Sequence, residues 1–174
     1  GKQFLMLPHT RSWRSSWNGL DMSQYDFILL HQTLSGAVAS NGYEMEGAPK
    51  VVFEKANEDC QVIAGDIHVP QKIGRITYCG SPHPVAFGDT FKPRVLHWDG
   101  EDLRSLKRTT LRKEVVNIND PADAVELAEE YTEGDQIKII CKLSKTRFFE
   151  WADIKADLIK AFEDRGCDVR GVEL

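Results

Sequence analysis

Paired cysteines, long apolar runs and an excess of basic charge are all missing from this chain of 174 residues. Its four cysteines, Cys60, Cys79, Cys141 and Cys167, are scattered, with no Cys-x-x-Cys pair. That spacing argues against a zinc ribbon and supplies no disulfide framework. Cys141 and Cys167 lie in apolar runs, where a buried free thiol is expected, and the set as a whole points to a reducing compartment, the cytoplasm. No apolar stretch approaches the roughly 20 residues of a membrane span, so no membrane is expected as a partner. Gly1-Lys2-Gln3-Phe4-Leu5-Met6 is not a signal peptide, because its apolar stretch is short and stops at Pro8. It reads as a strand entered partway. The net charge of −5 lacks the global footprint of a dedicated nucleic-acid-binding domain, leaving only a local patch or a partner for that role. Internal repeats and low-complexity tracts are absent as well.

What remains is ordinary globular composition. Hydrophobic residues at 41% and charged residues at 28% exclude disorder as the default, and the length suits one domain with a small second one. Apolar runs at Phe4 to Leu7, Tyr25 to Leu30, Gln61 to Ala64, Arg75 to Cys79 and Arg94 to Trp98 predict strands, the second buried on both faces. The polar stretch from His9 to Gly19 reads as a loop, and Asp99-Gly100 as a hairpin turn. Further on, Glu114 to Ile118, Gln136 to Leu143 and Asp168 to Val172 predict strands. Between them, Asp120-Pro121 starts one helix that Gly134 ends, and Glu150 to Arg165 forms an amphipathic second helix stopped by Gly166. Strand, helix, strand, helix, strand predicts a small α/β layer. The expected domains are residues 1–103 and 104–174.

Two positions carry chemistry. His31 and the element Gly65-Asp66-Ile67-His68 each follow an apolar strand, and the carboxyl ends of strands are where open α/β sheets hold ligands. Imidazole and carboxylate together suit manganese, iron or zinc, and residues 66 and 68 would share a face if the strand continued through them. The competing explanation is a structural or simply exposed histidine, which is the commoner fate of a lone histidine after an apolar run.

The wording of these segments resembles a known family. Leu29-Leu30-His31-Gln32-Thr33 resembles the late histidine motif of the calcineurin-like metallophosphoesterases, and Gly65-Asp66-Ile67-His68-Val69-Pro70-Gln71 their closing Gly-His-x-His motif. The trailing Pro70-Gln71, then Tyr78-Cys79-Gly80-Ser81-Pro82 and Ala86-Phe87-Gly88-Asp89, are similar to the SbcD-like exonuclease branch, most of all to a phage recombination nuclease subunit. The resemblance covers roughly residues 4–100, with a weaker match of the remainder to that branch's α/β capping domain. It implies the C-terminal half of a metallophosphoesterase β-sandwich flanked by helices, plus the cap. It further implies a DNA repair and recombination nuclease that uses two Mn2+ ions, with Mg2+ as the substitute, to hydrolyse DNA phosphodiester bonds. His31 and Asp66 would bind the second metal and His68 the first. Asp66 departs from the family histidine but keeps a competent oxygen donor.

The family's Asp-x-His, Gly-Asp and Gly-Asn-His motifs have no counterpart here, so the resemblance places the catalytic histidine and most first-metal ligands upstream of Gly1. Its implied partners are DNA, an SMC-like coiled-coil ATPase subunit and the missing N-terminal half of the phosphoesterase domain, in the host cytoplasm if phage-encoded. The chain alone is expected to be nearly inactive and, with a sheet edge exposed, to form a homodimer. Arg11, Trp13, Arg14 and Trp17 interleave cations with aromatics as single-strand-binding loops do, against the plainer reading of a loop packed on its own domain. Arg104, Lys107, Arg108, Arg112 and Lys113 form a basic run, read as a solvated linker that could touch DNA. His83, in a turn, is a weaker substrate contact, while His9 and His97 read as structural. Two other functions stay open: a generic metal-dependent phosphoesterase acting on small substrates, and a non-catalytic assembly fragment.

Overall fold

The structure is a computed structural model that describes residues 1–174. The chain is mixed α/β and divides into two units. Gly1–His83 with Thr90–Thr109 form the first, Pro84–Asp89 with Thr110–Leu174 the second.

In the first unit, β1 (Phe4–Leu7), β2 (Phe27–His31), β3 (Gln61–Gly65) and β5 (Ile76–Tyr78) run parallel, and β4 (Gln71–Ile73) closes one edge antiparallel to β5. The order is β1-β2-β3-β5-β4. The continuous apolar run of β2 is explained by cover on both faces. Leu5 and Leu7 lie in register with Ile28 and Leu30. Together with Val62, Ala64, Ile76 and Tyr78 they build the core. The helix α1 (Trp13–Trp17) and the 3-10 turn Lys50–Lys55 supply Trp17 and Phe53 to it, ring against ring at 5.6 Å.

The opposite face carries Phe4 and Phe27, stacked at 5.0 Å. Trp98 of the hairpin β6 (Arg94–Trp98) and β7 (Leu103–Lys107) sits 4.7 Å from Phe27. Strand β1 pairs with β2 alone, so its other edge is open. Arg94 holds the hairpin at the carboxyl end of β5, donating to Tyr78 O at 2.8 Å and Cys79 O at 3.1 Å.

The second unit is strand, helix, strand, helix, strand: β8 (Lys113–Ile118), α2 (Ala124–Ala128), β9 (Gln136–Cys141), α3 (Trp151–Glu163) and β10 (Asp168–Glu173). The three strands are parallel, with β9 central. Ile137, Ile139 and Cys141 alternate into the core and meet Ile154, Leu158 and Phe162 of α3. Asp120 starts the first crossover as expected, its carboxylate accepting from Ala122 N at 3.1 Å. Asp135, 1% exposed, ties the entry to β8 and β9 by accepting from Arg112 N and Thr132 N at 2.7 and 3.0 Å.

Two local expectations are corrected. Residues 13–17 of the supposed loop are helical, because Trp13 and Trp17 are four apart and both turn toward the core. The basic run is no linker: Arg104 and Lys107 are on β7 and Lys113 on β8. The change of unit falls at 109/110, beyond the hairpin that Leu103 begins by pairing with Trp98.

Candidate functional site

The parallel register decides what meets at the carboxyl edge of the first sheet. His31, the last residue of β2, is the partner of Gly65, the last of β3. Its imidazole lies over that glycine: a Cβ at position 65 would fall 2.8 Å from His31 Cδ2. Glycine is thus required for the ring to rest where it does. Asp66 follows with φ at 88°, the left-handed region, and it is the one non-glycine residue found there. Such a backbone costs on the order of 1–3 kcal/mol and persists where surrounding contacts enforce it. Here the Asp66 carboxylate accepts a hydrogen bond from the Thr33 hydroxyl, across from the segment that follows β2. The left-handed residue ends the strand, so the shared face expected for Asp66 and His68 does not arise. His68 is exposed on the turn beyond.

That turn is held from behind. The His68 carbonyl accepts from Ser81 N at 2.9 Å. Gly80, at φ +76°, leaves no room for a side chain, since a Cβ would lie 2.5 Å from Pro70 Cγ and 2.9 Å from His68 O. Gln71 then acts as a clamp. Its amide takes the place of a strand partner for Val38, accepting from Val38 N at 2.8 Å and donating to Val38 O at 2.7 Å.

The segment after β2 hangs on Tyr78. Its hydroxyl donates to Gln32 O at 2.8 Å and accepts from Leu34 N at 2.9 Å, so Thr33 is gripped on both sides. Tyr78 is fully buried. Burial pushes its pKa up to about 12 and keeps it a neutral donor. On the other side, the Gln32 side chain accepts from Thr10 N at 3.0 Å, and His9 Nδ1 lies 3.3 Å from His31 O. His9 thus braces the loop through backbone.

The remaining sequence candidates sit apart from these contacts. His83 is exposed in a turn whose backbone is held by Ser81 Oγ, which donates to His83 O at 2.6 Å. Arg11 is exposed. Arg14 lies over the Trp13 ring, 4.6 Å from its centroid, while Trp17 is buried, so the interleaved pattern is half core and half surface. Thr33, Gln71 and Tyr78 stood inside the quoted motifs, but no role could be read for them. Their partners are 33 to 46 residues away in sequence.

As a donor set, His31, Asp66 and His68 suit manganese or a similar ion by type. By number they do not fill two metal shells. No three histidine, cysteine, aspartate or glutamate side chains in the structure form a group that could hold a metal ion. His31 and Asp66 lie at the carboxyl edge of one sheet, and His68 on the turn that follows it.

No helix is long and apolar enough to cross a membrane. The chain matches no protein-family model and no curated protein.

Proposed function

We propose that this chain is part of a metal-dependent phosphodiesterase of the calcineurin-like, SbcD-like kind, acting on DNA, and that His31, Asp66 and His68 are its contribution to the metal site. The observation that supports this best is the carboxyl edge of the first sheet. His31 packs on Gly65, and Asp66 follows in a left-handed conformation enforced by Thr33. A strained polar residue at a strand end is the kind of feature that functional sites retain.

In this reading the first unit is the C-terminal part of the phosphoesterase sandwich, the second its capping domain, and an SMC-like ATPase is the partner. Divalent metal would supply the charge that clamps the phosphate and activates water. The side chains on hand would hold it: two imidazoles and one carboxylate. Three donors are too few for two ions, so the complete site draws others from another polypeptide segment, and this chain alone has little activity.

The test is manganese binding followed by electron paramagnetic resonance, in the wild type and in His31→Ala/His68→Ala, beside manganese-dependent degradation of linear DNA. The expected result is a bound-manganese signal that the double substitution removes, with DNA cleavage weak or absent in both. An equal signal in both proteins overturns the assignment. Cleavage of a small aryl phosphodiester with none of DNA would favour a general phosphoesterase.

A further inference from the structure

The second unit carries an exposed aromatic feature that its core does not use. Between β9 and α3 the chain makes a 3-10 turn, Lys145–Glu150. Phe148 is 63% exposed and Phe149 83%, whereas Ile154, Leu158 and Phe162 just beyond are buried. Single exposed apolar residues need no explanation, but two adjacent phenyl rings facing water invite one.

The sequence leading up to the rings is basic. Residues 136–149 contain Lys138, Lys142, Lys145 and Arg147 and no aspartate or glutamate, in a chain of net charge −5. Lys138 pairs with Glu173 at 2.8 Å and Arg147 with Glu150 at 2.9 Å. Lys142 and Lys145 are exposed and join no ion pair. A cleft of about 480 Å³ opens here, with Lys142, Leu143, Lys145 and Phe148 in its wall. It lies at the carboxyl end of β9, the side on which parallel α/β layers receive ligands.

We propose that this turn is a stacking platform for single-stranded nucleic acid. Every base has a face that can lie on a phenyl ring, and phosphates spaced along the strand meet Lys142 and Lys145. An apolar protein surface would leave Lys142 and Lys145 without partners, whereas a phosphate backbone supplies them. The site needs neither metal nor His31, and it stands whether or not the phosphodiesterase reading does.

The experiment is fluorescence anisotropy of a labelled oligothymidylate of roughly 15 nucleotides, near the upper end of common single-strand site sizes, with the full chain in EDTA. EDTA silences metal-dependent cleavage, so failure of either proposal is read separately. Phe148→Ala/Phe149→Ala is expected to weaken binding at least about tenfold, from the loss of ring stacking. Phe148→Tyr/Phe149→Tyr is expected to retain it. Lys142→Gln/Lys145→Gln is expected to flatten the slope of log K against log salt by about 1.4, two phosphates at about 0.7 each. Unchanged melting temperatures would show that all variants fold. No binding at low salt, an unchanged affinity in Phe148→Ala/Phe149→Ala, or equal affinity for an abasic oligomer each overturns the proposal. So does association with phosphatidylserine vesicles in the absence of oligothymidylate binding, which would assign the rings to a lipid surface.

Discussion

Replacing Tyr78 by phenylalanine removes one oxygen and leaves ring packing untouched, so the effect isolates the hydroxyl. Two groups lose their partner. Leu34 N is on a residue with no exposed surface, and Gln32 O on one that is 8% exposed, so water cannot readily replace either bond. Leaving a buried donor or acceptor unmet costs about 1–3 kcal/mol, which puts the pair at roughly 2–6 kcal/mol. With a urea slope of about 2 kcal/mol per M, the midpoint of the first unit's transition should fall by roughly 1–3 M. The two units need not unfold together. Three of the four tryptophans, Trp13, Trp17 and Trp98, lie in the first, so fluorescence reports mainly on it. Hydrogen exchange supplies the local reading: the Leu34 amide should exchange at least about tenfold faster in Tyr78→Phe. A midpoint shift below about 0.3 M together with an unchanged Leu34 amide would refute the idea that this hydroxyl holds the segment after His31.

Three further outcomes are expected. Alkaline titration should destabilise both units between pH 10 and about 12. Tyr78 and Tyr131 have folded pKa values pushed up to about 12 by burial, with Glu114 raising Tyr131 further, so the stability they confer is intact below pH 10 and lost as pH climbs to the folded value; a flat thermal melting profile across that range would contradict this. Gly65→Ala should displace the His31 ring at little cost in stability, because the ring is exposed and able to swing, and the carbon-13 shifts of the His31 imidazole should move while the melting temperature holds. Asp135→Ala should cost the second unit about 1–3 kcal/mol, since it removes the buried carboxylate that accepts from Arg112 N and Thr132 N, two amides on exposed residues that water reaches in part; near-wild-type urea unfolding monitored at Trp151 would count against it.

Most strands were legible because burial on both faces writes itself as unbroken apolar sequence, as in Phe27 to Leu30, and because Ile137, Ile139 and Cys141 alternate; the three-residue edge strand β4 was too short and too polar to show. Helix α3 was legible from its period. Helix α1 was not, because five residues with three polar ones give too little periodicity, although the i, i+4 pair Trp13 and Trp17 was the available signal. Strand β7 hid behind its charge: four of its five residues are exposed, so no apolar alternation marks it. At the candidate site, His31, Asp66 and His68 could be named from their motifs. Their setting could not, since the left-handed backbone of Asp66 and the grip of Tyr78 on Gln32 and Leu34 depend on contacts made only after the strands align.

Gly65 and Gly80 bracket the Asp66–His68 turn, one beneath an imidazole and the other against Pro70 and a carbonyl. A side chain at Gly80 would push Pro70 and the turn aside, whereas one at Gly65 would displace only the His31 ring. The frame behind the turn is thus set by Gly80, Pro70 and the His68 carbonyl, while the exposed side chain of residue 68 takes no part in it.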